Sequence, residues 1–424
     1  MLDIKMLRAS PTEVRAALGR RGNSAALEAF DHALSLDEER RRIIACVEEL
    51  KARRNEVSRK IGDLKRKGTD ASELIASMQG VAERIRALDS ELMGVEGELD
   101  SALLNIPNRP SPRVPAGGEG EVLGGRGDPP DLPFEPRPHW ELAASLGILD
   151  LERGARIAGS GFPLFVGAGA RLTRVLIDFM LELHVEEHGY VEVAPPLLVT
   201  RNSLIGTGQL PKFEEDVYHT AADDLFLVPT AEVPVTNLHR DEIIDGSTLP
   251  LAYVAYTPCF RREAGAAGRD TRGLLRVHQF DKVELVRFTT PEDSDAELER
   301  LTRHAERVLE LLGLPYRRIL LPAGELGFSS AIQYDLEVWS AGVGKWLEVS
   351  SCSSFMDYQA RRAGIRYRPA DGKRPRFVHT LNGSGVALAR TIAAILENNQ
   401  EADGSVWVPE VLRSRMGMER LEAP

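Results

Sequence analysis

Between Ile43 and Leu99 apolar side chains recur at alternating intervals of four and three. One series is Ile43, Val47, Leu50, Val57, Ile61 and Leu64, with Arg54 on the seam between Leu50 and Val57; the second is Leu74, Met78, Val81, Ile85, Leu88, Leu92, Val95 and Leu99. This spacing predicts a coiled-coil seam. Lys67-Gly68-Thr69-Asp70 between them predicts a turn, so the two helices fold back as an antiparallel helical arm. At roughly 30 residues per helix and 1.5 Å per residue, the arm reaches about 45 Å. Residues 109–138 are rich in Pro and Gly (GGEGEVLGGRGDPPDLP) and exclude a regular helix or a central strand. They predict a linker over 108–138, with the boundary near Pro107, between a domain over 1–107 and one over 139–424.

After His139 the pattern turns globular and mixed. Arg171 to His188 has helical apolar spacing, Gly189 to Val199 reads as a strand ending at Pro195-Pro196, and Pro291 to Gly313 as an amphipathic helix. Leu251–Phe260 and Val277–Val286 are β-prone runs around a long loop, which suggests an antiparallel hairpin. Tyr334–Trp339 and Lys345–Ser351 flank a turn at Gly342 to Gly344. Asn382-Gly383-Ser384-Gly385 reads as a turn leading into a helix.

Composition narrows the class little: of 424 residues 43% are hydrophobic and 28% charged, as in ordinary globular chains. No apolar run approaches the roughly 20 residues of a membrane span. MLDIKMLRASPTEV carries no apolar signal core, so the expected location is the cytoplasm. Cys46, Cys259 and Cys352 stand apart, which argues against a disulfide framework or a structural zinc site. Arg126-Gly127-Asp128 is taken as a chance string. The net charge of −11 means that any nucleic-acid contact needs a local basic surface. The arm offers one: Glu38 to Gly68 holds eleven Lys/Arg against six acids, and Thr69 to Ala102 two Arg against eight acids. These charges attract one another along the helix flanks. The cluster Arg59, Lys60, Lys65, Arg66, Lys67 near the tip equally suits a phosphate backbone.

The chemistry concentrates on the hairpin, TPCFRREAGAAGRDTRGLLRVHQFDKVELVR from Thr257 to Arg287, whose loop includes Gly265, Gly268, Arg269, Asp270, Arg272 and Gly273. Arg261, Glu263 and Glu284 share a strand pair with Phe280. An Arg there grips phosphate or carboxylate through paired hydrogen bonds, and the aromatic ring stacks on a base, so the hairpin suits an anionic, aromatic ligand such as a nucleotide. The alternative is a salt-bridged surface hairpin. Glu348, beside the hydroxyls of Ser350 and Ser351, offers the oxygens Mg²⁺ prefers.

At these residues the sequence resembles the class II aminoacyl-tRNA synthetases: an FRxE run, then Arg276 and Phe280 as RxxxF. GRDTRG and RVHQFDKVE resemble the bacterial-type seryl-tRNA synthetases more narrowly, as do RNEVSRKIG from Arg54 to Gly62, Leu104 to Asn108, GTGQLPKF from Gly206, SSFMDYQARR from Ser353 and the His379–Gln400 run. The resemblance covers MLDIK to about Gln400. It implies an α+β chain: a coiled-coil arm that grips tRNA through Arg54 and the tip cluster, then a dimeric catalytic domain with an antiparallel sheet flanked by helices. It implies ATP-dependent ligation of L-serine to tRNA(Ser), and also to tRNA(Sec), through a seryl-adenylate. Thr230, Ala231, Glu232, Arg261, Glu284, Thr380, Asn382 and Ser384 would then hold serine. Arg261, Arg262, Glu263, Val277, Phe280, Glu348, Val349, Ser350, Ser351 and Arg390 would hold ATP, with Mg²⁺ on Glu348 and Ser351; Arg261, Glu284 and Arg390 carry the catalytic roles.

The sequence departs from that pattern at four places. Arg262 stands where the family usually has a small polar residue, Ile332 where a lysine is expected, Gly161 where an arginine is common, and the arm exit NRPSPRVP lacks the usual His. They leave open a divergent paralogue that loads a carrier protein or binds tRNA without catalysis. Carrier-loading relatives usually lack the arm that this chain keeps.

Overall fold

The computed structural model describes residues 1–264 and 272–423. Gly265, Gly268, Arg269 and Asp270 of the hairpin loop lie outside the described residues. The chain forms two compact units, one over Leu2–Pro107 and one from Asn108 onward together with Met1.

In the first unit the four-three pattern folds as an antiparallel helix pair, α1 (Ser24–Arg66) and α2 (Ser72–Leu104). Ile43, Val47, Ile85, Leu88, Val95 and Leu99 are buried along the seam, while Val57, Ile61, Leu64, Leu74 and Met78 toward the turn are only half-buried. α1 has 43 residues, about 65 Å at 1.5 Å per residue. It is longer than its coiled seam, because Ala26, Phe30, Ala33 and Leu36 bury its first turns beside two short helices, Ile4–Ala9 and Pro11–Gly19. Arg54 points to solvent rather than into the seam.

The second unit is built on an eight-stranded sheet. Its strands are β1 (Glu121–Arg126), β2 (Val191–Glu192), β3 (Leu251–Phe260), β4 (Gln279–Thr289), β5 (Tyr316–Leu320), β6 (Ile332–Ser340), β7 (Lys345–Met356) and β8 (His379–Ala387). They lie in the order β1-β5-β6-β7-β8-β4-β3-β2, antiparallel except for the β2–β3 edge pair. The Pro/Gly-rich segment is part of this unit. It supplies edge strand β1, and the Asn108 amide donates to the carbonyls of Ser329 and Phe355, both at 2.8 Å.

Strand alternation gives the sheet two working faces. Val283 and Leu285 of β4 join the core made with helices α4 (Ala168–Glu182), α5 (Ser294–Leu312) and α6 (Leu388–Asn398); α3 (His139–Ser145) packs there as well. Phe280, Lys282 and Glu284 face the other way, into a cavity. Asn382 to Gly385 lie within β8 rather than in a turn. A Cβ on Gly383 would stand 2.4 Å from Leu301 Cδ2, and one on Gly385 2.7 Å from His184 Nε2. These glycines therefore serve close approach of α5 and a buried histidine to the strand. Ile332 is buried in β6, where a lysine would need a charge partner. Among the described residues no helix is long and apolar enough to cross a membrane.

Candidate active site

A cavity of about 700 Å³ opens on the polar face of β4, β7 and β8. Its deep end is acidic and tightly bonded. Glu284 is buried and accepts from Lys282 Nζ at 2.6 Å, Asn382 Nδ2 at 2.7 Å and Ser384 Oγ at 3.3 Å. Glu232, in the first turn of the short helix Glu232–Thr236, accepts from the Gln359 amide at 2.6 Å. Burial, then the nearby charge of Glu284, push the Glu232 carboxyl up to about 7. Thr230 Oγ1 accepts from the Glu232 backbone N–H at 3.3 Å. Together these groups offer carboxylate and hydroxyl acceptors for a small ligand that carries an ammonium and a hydroxyl.

The other end is cationic and aromatic. Arg261, just past β3, is fixed by its backbone N–H on His278 O (2.9 Å) and by Nε on Pro229 O (3.3 Å). Its guanidinium carbon stands 5.1 Å from the Phe280 ring centroid. Glu263 accepts from Arg276 Nη1 at 2.6 Å. Arg390, near the start of α6, donates Nη1 to Glu348 O at 2.8 Å and Nε to Leu275 O at 3.1 Å. Ser351 Oγ donates to Glu348 at 3.1 Å. Asp335, opposite Ser351 across the β6–β7 pair, has a carboxyl pushed up to about 7 by burial and by the charge of Glu348. This oxygen donor set fits a hard cation such as Mg²⁺, which takes one or two carboxylates and fills its remaining positions with water and phosphate. Among the described residues no three His, Cys, Asp or Glu side chains converge as a self-sufficient metal cage.

The cavity wall thus brings together Thr230, Glu232, Arg261, Glu263, Val277, Phe280, Glu284, Glu348, Val349, Ser351, Asn382, Ser384 and Arg390. Four other residues named from the sequence lie off that wall. Ala231 is buried behind it. Arg262 is exposed and donates to the carbonyl of Glu215 at 3.2 Å. Ser350, on the opposite face of β7, donates to Ser384 O at 2.7 Å. Thr380 donates to Gln359 Oε1 at 2.7 Å, and so touches Glu232 only through that amide. Lys282 and Gln359 were not anticipated. Lys282 carried a signal, because it alternates with Phe280 and Glu284 on one strand face; Gln359 carried none. In the other unit Arg54, Arg59, Lys60, Lys65, Arg66 and Lys67 are all exposed; Lys60 pairs with Glu56 at 2.7 Å and Arg66 with Asp63.

A family model described as the tRNA synthetase class II core domain (G, H, P, S and T) matches residues 212–399, and the seryl-tRNA synthetase N-terminal domain matches residues 1–110. The chain is 56% identical over 420 residues to the serine–tRNA ligase of Pelotomaculum thermopropionicum, covering 98% of this chain and 99% of the relative. Its structure is similar to that of seryl-tRNA synthetase from Pyrococcus horikoshii complexed with ATP (TM-score 0.96, 37% identity, all of both chains). It is also similar to the cytoplasmic serine–tRNA ligase of Naegleria fowleri in complex with AMP (TM-score 0.89, 27% identity, 100% of this chain and 99% of that one). The chain belongs to the seryl-tRNA synthetase family.

Proposed function

We propose that the protein activates L-serine with ATP as seryl-adenylate, releasing pyrophosphate, and then transfers the seryl group to the terminal ribose of tRNA(Ser), with tRNA(Sec) as a second acceptor. The observation that carries this reading is the polarity of one cavity: paired acceptors around Glu232 and Glu284 at one end, Arg261, Phe280, Glu348 and Arg390 at the other. Serine would place its ammonium at Glu232 and Thr230 and its hydroxyl at Glu284, near Asn382 and Ser384. Arg261 would hold the serine carboxylate and the α-phosphate. Phe280 would stack on adenine, Glu263 would accept from its amino group, and Arg390 would hold the far phosphates. Glu348 and Ser351 would hold Mg²⁺, which would supply charge neutralisation to the polyphosphate. Two anions must meet at the α-phosphorus, so positioning and electrostatic stabilisation supply the catalysis.

The remaining parts of the reading concern assembly. Residues 1–107 form the tRNA-binding arm and 139–424, together with the Pro/Gly-rich segment that supplies β1, the catalytic domain of a cytoplasmic homodimer. The edge strand β2 leaves Val191 58% exposed, which suits burial against a second copy.

The test is serine-dependent exchange of pyrophosphate into ATP without tRNA, with alanine, threonine and cysteine in parallel, followed by charging of serine tRNA. Exchange with serine alone supports the reading; a folded protein that exchanges with no amino acid sinks it. Reversing Lys65, Arg66 and Lys67 to Glu should raise KM for tRNA about tenfold, with a shallower salt dependence, and leave exchange untouched.

The Glu232 carboxyl near 7 adds a pH dependence. Below about pH 7 it takes up a proton and stops being a charged acceptor, while the serine ammonium keeps its charge. KM for serine in the exchange assay should therefore rise as pH falls from 8 to 6, and Glu232→Gln should show a high, flat KM. A wild-type KM that stays constant over this range would count against the ammonium site.

A further inference from the structure

The cavity's cationic end is braced by a buried pair that the reaction scheme does not use. Glu397 on α6 and His139 at the start of α3 are both fully buried. One Glu397 oxygen accepts from the His139 backbone N–H at 2.9 Å and from ring Nδ1 at 2.7 Å. The other accepts from the Ser340 hydroxyl and from the backbone N–H groups of Gly342 (2.8 Å) and Val343 (3.0 Å). Burial pushes this carboxyl up, but the hydrogen bonds from His139, Ser340 and the backbone outweigh it and hold it below the usual range. Glu397 is therefore a carboxylate that only accepts, which puts the hydrogen on His139 Nδ1. The other ring nitrogen, Nε2, lies 2.9 Å from the Leu274 backbone N–H, which only donates. A single neutral tautomer satisfies both neighbours.

What His139 holds is part of the cavity wall. Gly273, at φ +67°, passes so close that a Cβ there would stand 2.3 Å from His139 Nε2, and the Arg272 guanidinium carbon lies 4.7 Å from the Trp140 ring centroid. Three consecutive residues, Arg272 to Leu274, are thus held by two. Leu275 then uses its carbonyl to accept from Arg390 Nε at 3.1 Å, and Arg390 has its other backbone anchor at Glu348 O. Arg390 is aimed by two carbonyls, one set by β7 and the other by the segment that His139 grips.

We infer that the Glu397–His139 pair is a positioning device for Arg390: it fixes Leu274 and Leu275 so that the guanidinium faces the phosphate end of the cavity. His139 touches no substrate and acts through the wall. The inference rests on the reading of this cavity as an ATP site, and direct binding separates the two. The affinities for ATP·Mg²⁺ and for serine are measured by calorimetry on the whole protein, with thermal melting as the folding control. His139→Phe keeps the ring volume and removes both side-chain hydrogen bonds; His139→Gln keeps one donor and one acceptor. The expected result is ATP binding weakened about tenfold in His139→Phe, partly restored in His139→Gln, and serine affinity unchanged in both. In an Arg390→Ala background the His139 substitutions should shift ATP affinity less than about twofold, because the group they aim is gone. Folded His139 variants with wild-type ATP affinity overturn the inference, and so does an equal loss with and without Arg390. If Arg390→Ala itself leaves ATP affinity unchanged, the phosphate role of Arg390 fails first and the inference falls with it.

Discussion

Arg261→Ala should lower serine-dependent pyrophosphate exchange by about a thousandfold in kcat/KM while leaving the melting temperature unchanged, the size of effect seen when one preorganised donor is removed from a developing charge. The side chain is on the cavity wall, half-buried, with one hydrogen bond to Pro229 O and a face-on approach to Phe280, so its loss opens no core void. In the proposed reaction the chemistry depends on it more than the fold does. A serine carboxylate must approach a phosphate that repels it, and a guanidinium offers two parallel donors, one to each anion. Its backbone, tied to His278 O at 2.9 Å, sets the fork before substrate arrives. Lysine keeps the charge but loses the fork, so Arg261→Lys should stay within about tenfold of the alanine variant. A drop of less than about tenfold in kcat/KM for the alanine variant would remove Arg261 from the centre of the reaction.

Arg261, Phe280 and Glu284 were legible because a strand pair obeys a period of two and the loop between its halves is marked by glycine. The arm was legible for the same kind of reason: its seam is a local repeat, read without knowing what it packs against. The misreadings fall where the deciding contact is remote. Asn382 to Gly385 looks like a turn because glycine usually signals one. In β8 the signal means that Leu301, Cys352 and His184, at least 31 residues away in sequence, crowd the strand. The length of α1 was underestimated because its first turns are stabilised by two short helices with no repeat of their own. Gln359 holds Glu232 across 127 residues, and His139 meets Glu397 across 258. No window of sequence contains both partners, so the polar braces of the site were invisible even though the wall strands β4 and β7 were in view. Lys282 was the avoidable omission. It sits between two residues already assigned to the same strand face, and a buried carboxylate such as Glu284 calls for a cation.

That pairing makes Glu284 the position where specificity and stability have to be separated. Glu284→Ala should reduce kcat/KM for serine about a thousandfold and leave that for alanine nearly unchanged, collapsing the discrimination between the two amino acids. A site built around a buried acceptor for a hydroxyl rejects the analogue lacking it, because the acceptor is otherwise left unsatisfied; without the acceptor the rejection goes. The same substitution leaves Lys282 Nζ buried with its 2.6 Å partner gone. Breaking a buried pair from one side costs about 3 kcal/mol or more, so Glu284→Ala should also melt earlier. A second substitution resolves the overlap. Glu284→Ala with Lys282→Met removes the stranded charge as well, and should recover most of the lost stability, since replacing a whole buried pair by apolar groups is often neutral. It should recover none of the serine selectivity, because methionine offers the hydroxyl no acceptor. If the double variant regained discrimination along with its melting temperature, Glu284 would be a structural half of an ion pair, and the serine hydroxyl would have to be read by Asn382 or Ser384 instead.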